Sequence, residues 1–150
     1  MKNPKISIIT VVKNNKNFIE KNILSLLGQK YKNYEHIIID GESTDGTLKI
    51  INKYKKSISS FISEKDQGIY DALNKGINLA SGDIIGILNS DDYFYDSALE
   101  IVKTYFEKKP EIDFLFGSVH KFTLRHGFFP KKIYWTFNFY PTHSVGFFIK

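Results

Sequence analysis

The sequence predicts an α/β fold, a mostly parallel sheet flanked by helices. Two observations carry that prediction. Short β-branched runs alternate with segments of helical apolar spacing from Lys5 to Lys108, and such alternation implies parallel strands joined by right-handed crossovers. Acidic residues also close two of the apolar runs: Asp40 after Ile37-Ile38-Ile39, and Asp91-Asp92 after Ile84 to Leu88. In an open parallel sheet, ligands collect where strands end and loops open.

The elements follow in order. Lys5 to Val12 reads as a buried strand. From Lys16 to Gly28, the residues Ile19, Ile23, Leu26 and Leu27 fall at helical spacing, with Gly28 as the stop. Tyr34 to Asp40 is a second strand, and Thr47 to Tyr54 a second helix with Asp45 as its N-cap. Ile58 to Ser63 is a weaker third strand. A third helix follows, with Ile69, Ala72, Leu73, Gly76, Ile77 and Ala80 on one face, and Ser81-Gly82 closes it. Asp83 to Leu88 is a fourth strand. Ser97-Ala98-Leu99-Glu100 resembles a capping box opening a helix whose apolar positions are Ala98, Ile101, Val102, Tyr105 and Phe106. From Phe114 onward the pattern changes to mixed or antiparallel strands, with an aromatic run from Phe128 to Tyr140 and an apolar segment from Val145 to Ile149.

Composition narrows the function classes. The chain has 150 residues, enough for one domain with a core, and no repeat or linker divides it. It has no cysteine, which excludes disulfides and thiolate metal sites and fits a reducing compartment. No apolar stretch approaches the roughly 18 residues of a membrane span. The net charge of +5 comes from scattered lysines rather than a basic block, so a nucleic-acid arm is not expected.

Three constellations carry chemistry. Asp40, in Asp40-Gly41-Glu42-Ser43-Thr44-Asp45-Gly46-Thr47, is either an acceptor for a base imide N–H or ribose hydroxyl, or a turn residue before glycine. Asp91-Asp92 supplies the oxygen ligands that Mg2+ or Mn2+ takes alongside substrate phosphates; the alternative is a polar loop before a helix. Asp66-Gln67-Gly68-Ile69-Tyr70-Asp71 runs into a helix N-terminus, which favours an anion. There Asp66 is an N-cap or a pocket residue. Asp71 either pairs with Lys75 at i,i+4 or faces the pocket with Asn74.

These segments, in this order and together with Ile6-Ser7-Ile8-Ile9-Thr10-Val11-Val12-Lys13-Asn14, resemble the family 2 glycosyltransferases with the GT-A fold, a Rossmann-like sheet. The resemblance spans roughly residues 5 to 108, and the Gly68-Ile69-Tyr70-Asp71-Ala72 wording looks like bacterial members that build surface polysaccharides. It implies metal-dependent, inverting transfer of a sugar from a nucleotide-diphospho-sugar to a hydroxyl of a glycan or lipid-linked glycan. Residue by residue it implies that Thr10, Val11 and Val12 line the base and ribose subsite. Asp40 would bind the base, Asp66 and Asp71 would line the donor pocket, Asp91 would approach ribose or sugar, and Asp91 or Asp92 would hold a divalent cation, Mg2+ or Mn2+. Asn89 stands where the family's Asp-x-Asp pattern often begins, which leaves the metal to those two aspartates.

The family's general base is usually a later aspartate, and the last acids here are Glu111 and Asp113. His120, His126 and His143 are the later groups with near-neutral titration, and His143 is the catalytic candidate on resemblance. The expectation is a single domain over 1–150. Residues 1–108 would be its nucleotide-sugar-binding half and 109–150 an incomplete acceptor-side half, with the base beyond Lys150. A donor-binding module without turnover is the alternative. The expected location is cytoplasmic, with the inner membrane face, a peripheral membrane contact through the aromatic run, and self-association as candidates. No Gly-x-Gly-x-x-Gly follows Val12, which disfavours a dinucleotide enzyme.

Overall fold

The computed structural model describes residues 1–117, 119–121, 123–125 and 147–150. The strands are β1 (Ile6–Val12), β2 (Tyr34–Asp40), β3 (Ser60–Ser63), β4 (Ile84–Ile87), β5 (Phe114–Phe116), β6 (Val119–Lys121), β7 (Thr123–Arg125) and β8 (Phe147–Ile149). The helices are α1 (Ile19–Leu27), α2 (Thr47–Lys53), α3 (Ile69–Leu79) and α4 (Ala98–Lys108).

Six strands form one sheet in the order β3-β2-β1-β4-β8-β5, and β6 pairs with β7 in a separate antiparallel ribbon. The β1–β2, β1–β4 and β2–β3 pairs are parallel, while β8 runs antiparallel to both neighbours. The C-terminal strands are therefore mixed, as expected. β1 is buried along its whole length, as a central parallel strand covered on both faces should be. Alternate residues serve two cores. Ile6 and Ile8 pack with Leu26 of α1 and with Leu99, Val102 and Phe106 of α4. Ile9 and Val11 pack on the other side with Ile37, Ile39 and Ala72 of α3. Val12, Ile38, α1 and Ile51 of α2 complete a third cluster. Each such side chain contributes about 1.5–3 kcal/mol relative to exposure.

Gly76 explains how α3 comes so close to the sheet. A Cβ there would lie 2.5 Å from Cγ2 of Ile9, so only glycine permits this approach. It also narrows the expected apolar face of α3: Ala72 and Gly76 are buried, but Ile69 and Ile77 are exposed.

Several boundaries differ from expectation for local reasons. α1 starts at Ile19 rather than Lys16, because residues 13–18 form the loop after β1. β3 starts at Ser60 rather than Ile58, after a 3-10 turn at Lys55–Ser57. Asp45 is not the N-cap of α2. Gly46, at φ +105°, holds that position, while Asp45 accepts Thr47 N–H at 3.0 Å and Thr47 Oγ1 at 2.6 Å from one residue earlier. The capping box at Ser97 does not form, since Ser97 makes no side-chain cap bond. Leu99 N–H instead reaches Gln29 Oε1 at 3.1 Å, and Leu99 rather than Ile101 faces the core.

Candidate functional site

β1 to β4 run in one direction, so their carboxyl ends share one rim of the sheet. The chain steps from β1 outward to β2 and β3, then crosses back so that β4 lies on the other side of β1. That reversal opens a crevice beyond β1 and β4, the usual ligand position in open α/β sheets. Val12, Asp40, Ser63 and the loop after Leu88 all end there.

Asp40 is fully buried at this rim. Its Oδ2 accepts Ser43 N–H at 3.0 Å and Ser63 Oγ–H at 2.7 Å. Its Oδ1 is buried with no hydrogen-bond partner. A buried carboxylate oxygen left unmatched is costly, of order 1–3 kcal/mol, and calls for an explanation.

The loops around Asp40 are lashed together. Ser43 Oγ accepts Asn14 N–H at 2.7 Å, and Asn14 Oδ1 accepts Thr44 N–H at 2.8 Å. Asn15 N–H reaches Thr47 Oγ1 at 2.8 Å, and Asn15 Nδ2 reaches Ser90 Oγ at 2.8 Å. Asn14 and Glu42 hold positive φ values of 52° and 57°. Backbone conformations of that kind in non-glycine residues concentrate at functional sites. Asp45 accepts Lys16 N–H at 3.1 Å; the Thr47 hydroxyl bond, with these backbone bonds, overcomes the upward push of desolvation and holds its carboxyl at about 2.

Asp66 stands over Gly41, where a Cβ would collide with its Oδ2. Asp66 is thus beside Asp40's loop, and its Oδ1 accepts Gly68 N–H at 3.0 Å. Gly68, not Asp66, is the N-cap of α3. Asp71 is committed to the helix entrance. It accepts Gln67 N–H at 3.1 Å and pairs with Lys75 at 3.2 Å, while Lys75 also pairs with Glu64 at 2.8 Å. The Gln67 bond first, and then Lys75, lower the Asp71 carboxyl.

Asp91 is exposed and Asp92 partly buried in the turn after β4. Asp92 N–H returns to Asn89 O at 3.0 Å, and Asn89 Nδ2 lies 3.4 Å from Asp92 Oδ2. Among the described residues, no cluster of three or more His, Cys, Asp or Glu gathers to hold a metal unaided.

Thr10, Val11 and Val12 sit below the rim. Val11 and Val12 belong to the cores on opposite faces of the sheet. The Thr10 side chain is fully buried. Its Oγ1 lies 3.0 Å from His36 Nε2 and 3.4 Å from Asn22 Oδ1 of α1. Burial pushes His36 down to about 3, so it is neutral there. His143 and the aromatic run from Phe128 to Tyr140 lie outside the described residues.

Asp40, Asp66 and the Asp91-Asp92 loop therefore surround one rim, with Asp71 at its edge. Sequence reasoning passed over the asparagines and serines that fix them: Asn14, Asn15, Ser43 and Ser63. Their signal was weak, since polar residues after a strand look like any loop.

Comparison with known proteins gives the family and the fold. The family model for Glycosyl transferase family 2 matches residues 7–148. An uncharacterized glycosyltransferase of Haemophilus influenzae is 41% identical over 103 residues, covering 67% of this chain and 41% of its own length. TuaG of Bacillus subtilis, named for teichuronic acid biosynthesis, is 36% identical over 100 residues, covering 65% of this chain and 40% of its own. Among solved structures, S. aureus TarS 1-349 in complex with UDP-GlcNAc superposes with a TM-score of 0.70 at 25% identity, over 75% of this chain and 33% of that one. The mannosyltransferase PcManGT from Pyrobaculum calidifontis, in complex with GDP-Man and Mn2+, shares the fold with a TM-score of 0.69 at 23% identity, over 79% and 36%. The chain thus spans about two fifths of the two curated relatives and about a third of these structures. With a family match over nearly its whole length, the chain belongs to glycosyl transferase family 2.

Proposed function

We propose that this chain binds a nucleotide-diphospho-sugar in the crevice beyond β1 and β4, as the donor half (1–108) of a metal-dependent, inverting sugar transferase whose acceptor is a hydroxyl of a glycan or lipid-linked glycan. The unmatched Oδ1 of Asp40 carries the reading. It is a buried acceptor at the end of β2 without a partner, and the uracil N3–H or the guanine N1–H would be a donor of the right kind once the base is admitted there. The nucleotide sugars named with TarS and PcManGT are of those two kinds, and support the same class of ligand here.

The donor set suits a hard cation. Asp91 and Asp92 offer carboxylate oxygens but not a complete cage, which matches the way Mg2+ and Mn2+ share their shell with phosphates. A bound cation would neutralise charge on the departing diphosphate. Asp92 is the proposed ligand, with Asp91 beside it toward metal or ribose. Asp66 borders the base side and Asp71 braces the α3 entrance. Val11, Val12 and the backbone at Thr10 form the floor.

The last two acids of the sequence do not reach this rim. β5 and β4 are both antiparallel to β8, so β5 runs with the parallel strands. Asp113 precedes β5 and pairs with Lys150 at 3.3 Å on the opposite edge of the sheet. Glu111 and Asp113 are therefore unsuited to deprotonate an acceptor at the crevice.

Calorimetric titration with uridine and guanosine diphosphates tests the reading. Saturable binding of either supports it, and binding of neither contradicts it.

A further inference from the structure

The loop that carries Asp91 and Asp92 is long, from Leu88 to Ser97, and has no helix or strand of its own. Loops of this length gain order only from their anchors. Besides the Asn15–Ser90 bond, the anchors come from α1 and the residue just past its C-cap. Asn22 and Ser25 are spaced i, i+3 on α1, and Gln29 follows just past its Gly28 C-cap, so the three form one polar row at the end of the helix. Asn22 and Gln29 are fully buried.

Each rung grips a different point of the loop. Asn22 Nδ2 donates to Asn89 O at 2.8 Å and to Asp92 O at 3.1 Å, spanning the acidic turn. Ser25 Oγ accepts Phe94 N–H at 3.2 Å while donating to Asn22 O at 2.7 Å. Gln29 Nε2 donates to Tyr95 O at 2.9 Å, and its Oε1 accepts Leu99 N–H at 3.1 Å. Both amide protons of Asn22 Nδ2 are used on loop carbonyls, and Gln29 uses its second on Ser25 O at 3.0 Å. Two fully buried side chains and the half-buried Ser25 thus leave the loop backbone one register against α1 and the residues just past it.

We propose that Asn22, Ser25 and Gln29 are positioning residues that hold the Asp91-Asp92 turn ready for a metal-bound diphosphate. None of them needs to touch the ligand. This rests on the donor-site reading above for its consequence, but not for the mechanical role.

The test uses Asn22→Leu, which keeps the branched skeleton and removes both bonds, and Ser25→Ala, with Ser25→Thr as the variant that keeps the hydroxyl. Two readouts are taken: amide hydrogen exchange, and affinity for uridine diphosphate with and without manganese. Asn22→Leu and Ser25→Ala are expected to speed exchange at Asp92 and Phe94 by at least tenfold, with β1 and β2 amides still protected. The enhancement of binding by manganese should fall about tenfold, the metal-free affinity should hold, and Ser25→Thr should retain both properties. Unchanged exchange at these amides, or an unchanged manganese enhancement, in folded variants would overturn the proposal. Should Asn22→Leu fail to fold, the Ser25 pair alone decides it. A wild type that binds no diphosphate contradicts the donor-site reading, and exchange then decides whether the row positions the loop.

Discussion

Asp40 gives the residue-scale account its sharpest form. Its Oδ2 is held by Ser43 N–H and Ser63 Oγ–H, so the position of Oδ1 is fixed. In Asp40→Asn those two donors would keep the amide oxygen and leave the NH2 in the place of Oδ1. An acceptor would become a donor facing a base. Affinity for uridine diphosphate should then fall by at least tenfold, the value of about one lost hydrogen bond to a charged group. Cytidine diphosphate, whose ring nitrogen at that edge accepts, should lose less. Titration of both nucleotides checks this, and equal losses would argue against a base contact by Asp40.

At the scale of elements, α3 depends on the missing side chain at Gly76. Gly76→Ala would gain roughly 1 kcal/mol of helix propensity but place a methyl 2.5 Å from Ile9 Cγ2. Overpacking costs typically 1–3 kcal/mol, so urea denaturation should show net destabilisation of about 1 kcal/mol. Ala at exposed Asn74 of the same helix should be neutral or slightly stabilising. The elements themselves were readable, because β-branched runs and the Ile19, Ile23, Leu26 spacing are strong periodic signals. So were the acids, since a carboxylate after a buried run has little else to do than end a strand. Caps were less readable. Asp45 and Ser97 have the right chemistry, but Asp45 holds Thr47 from one residue before the cap position, and at Ser97 the Leu99 N–H goes to Gln29 instead. Asn22, Ser25 and Gln29 were not readable at all. Polar residues in an amphipathic helix or just past its end look solvent-facing until the loop they hold is known.

For the whole molecule, the interior chemistry predicts acid sensitivity. Burial keeps His36 neutral and lowers it from 6.5 to about 3. The unfolded chain takes up that proton first as pH falls, so stability is lost from about pH 6.5 downward. Burial pushes Glu35 up, but the bonds from Lys5, Ser7 and Ser81 outweigh it and hold the carboxyl at about 2 against 4.5. Its contribution is complete above about pH 4.5 and is lost as pH falls toward 2. Thermal melts from pH 7 to pH 3 should show a steady decline, and His36→Gln should flatten it between pH 6.5 and 4.5. Among the described residues no helix is long and apolar enough to cross a membrane. The central claim is that this rim grips a nucleoside diphosphate through a cation at Asp91-Asp92. Calorimetry of uridine and guanosine diphosphate binding, with and without manganese, in the wild type and in Asp92→Ala, tests it most directly. The account predicts tighter binding with manganese in the wild type and at least a tenfold loss of that enhancement in Asp92→Ala. Binding that ignores manganese and is unchanged by Asp92→Ala would contradict it.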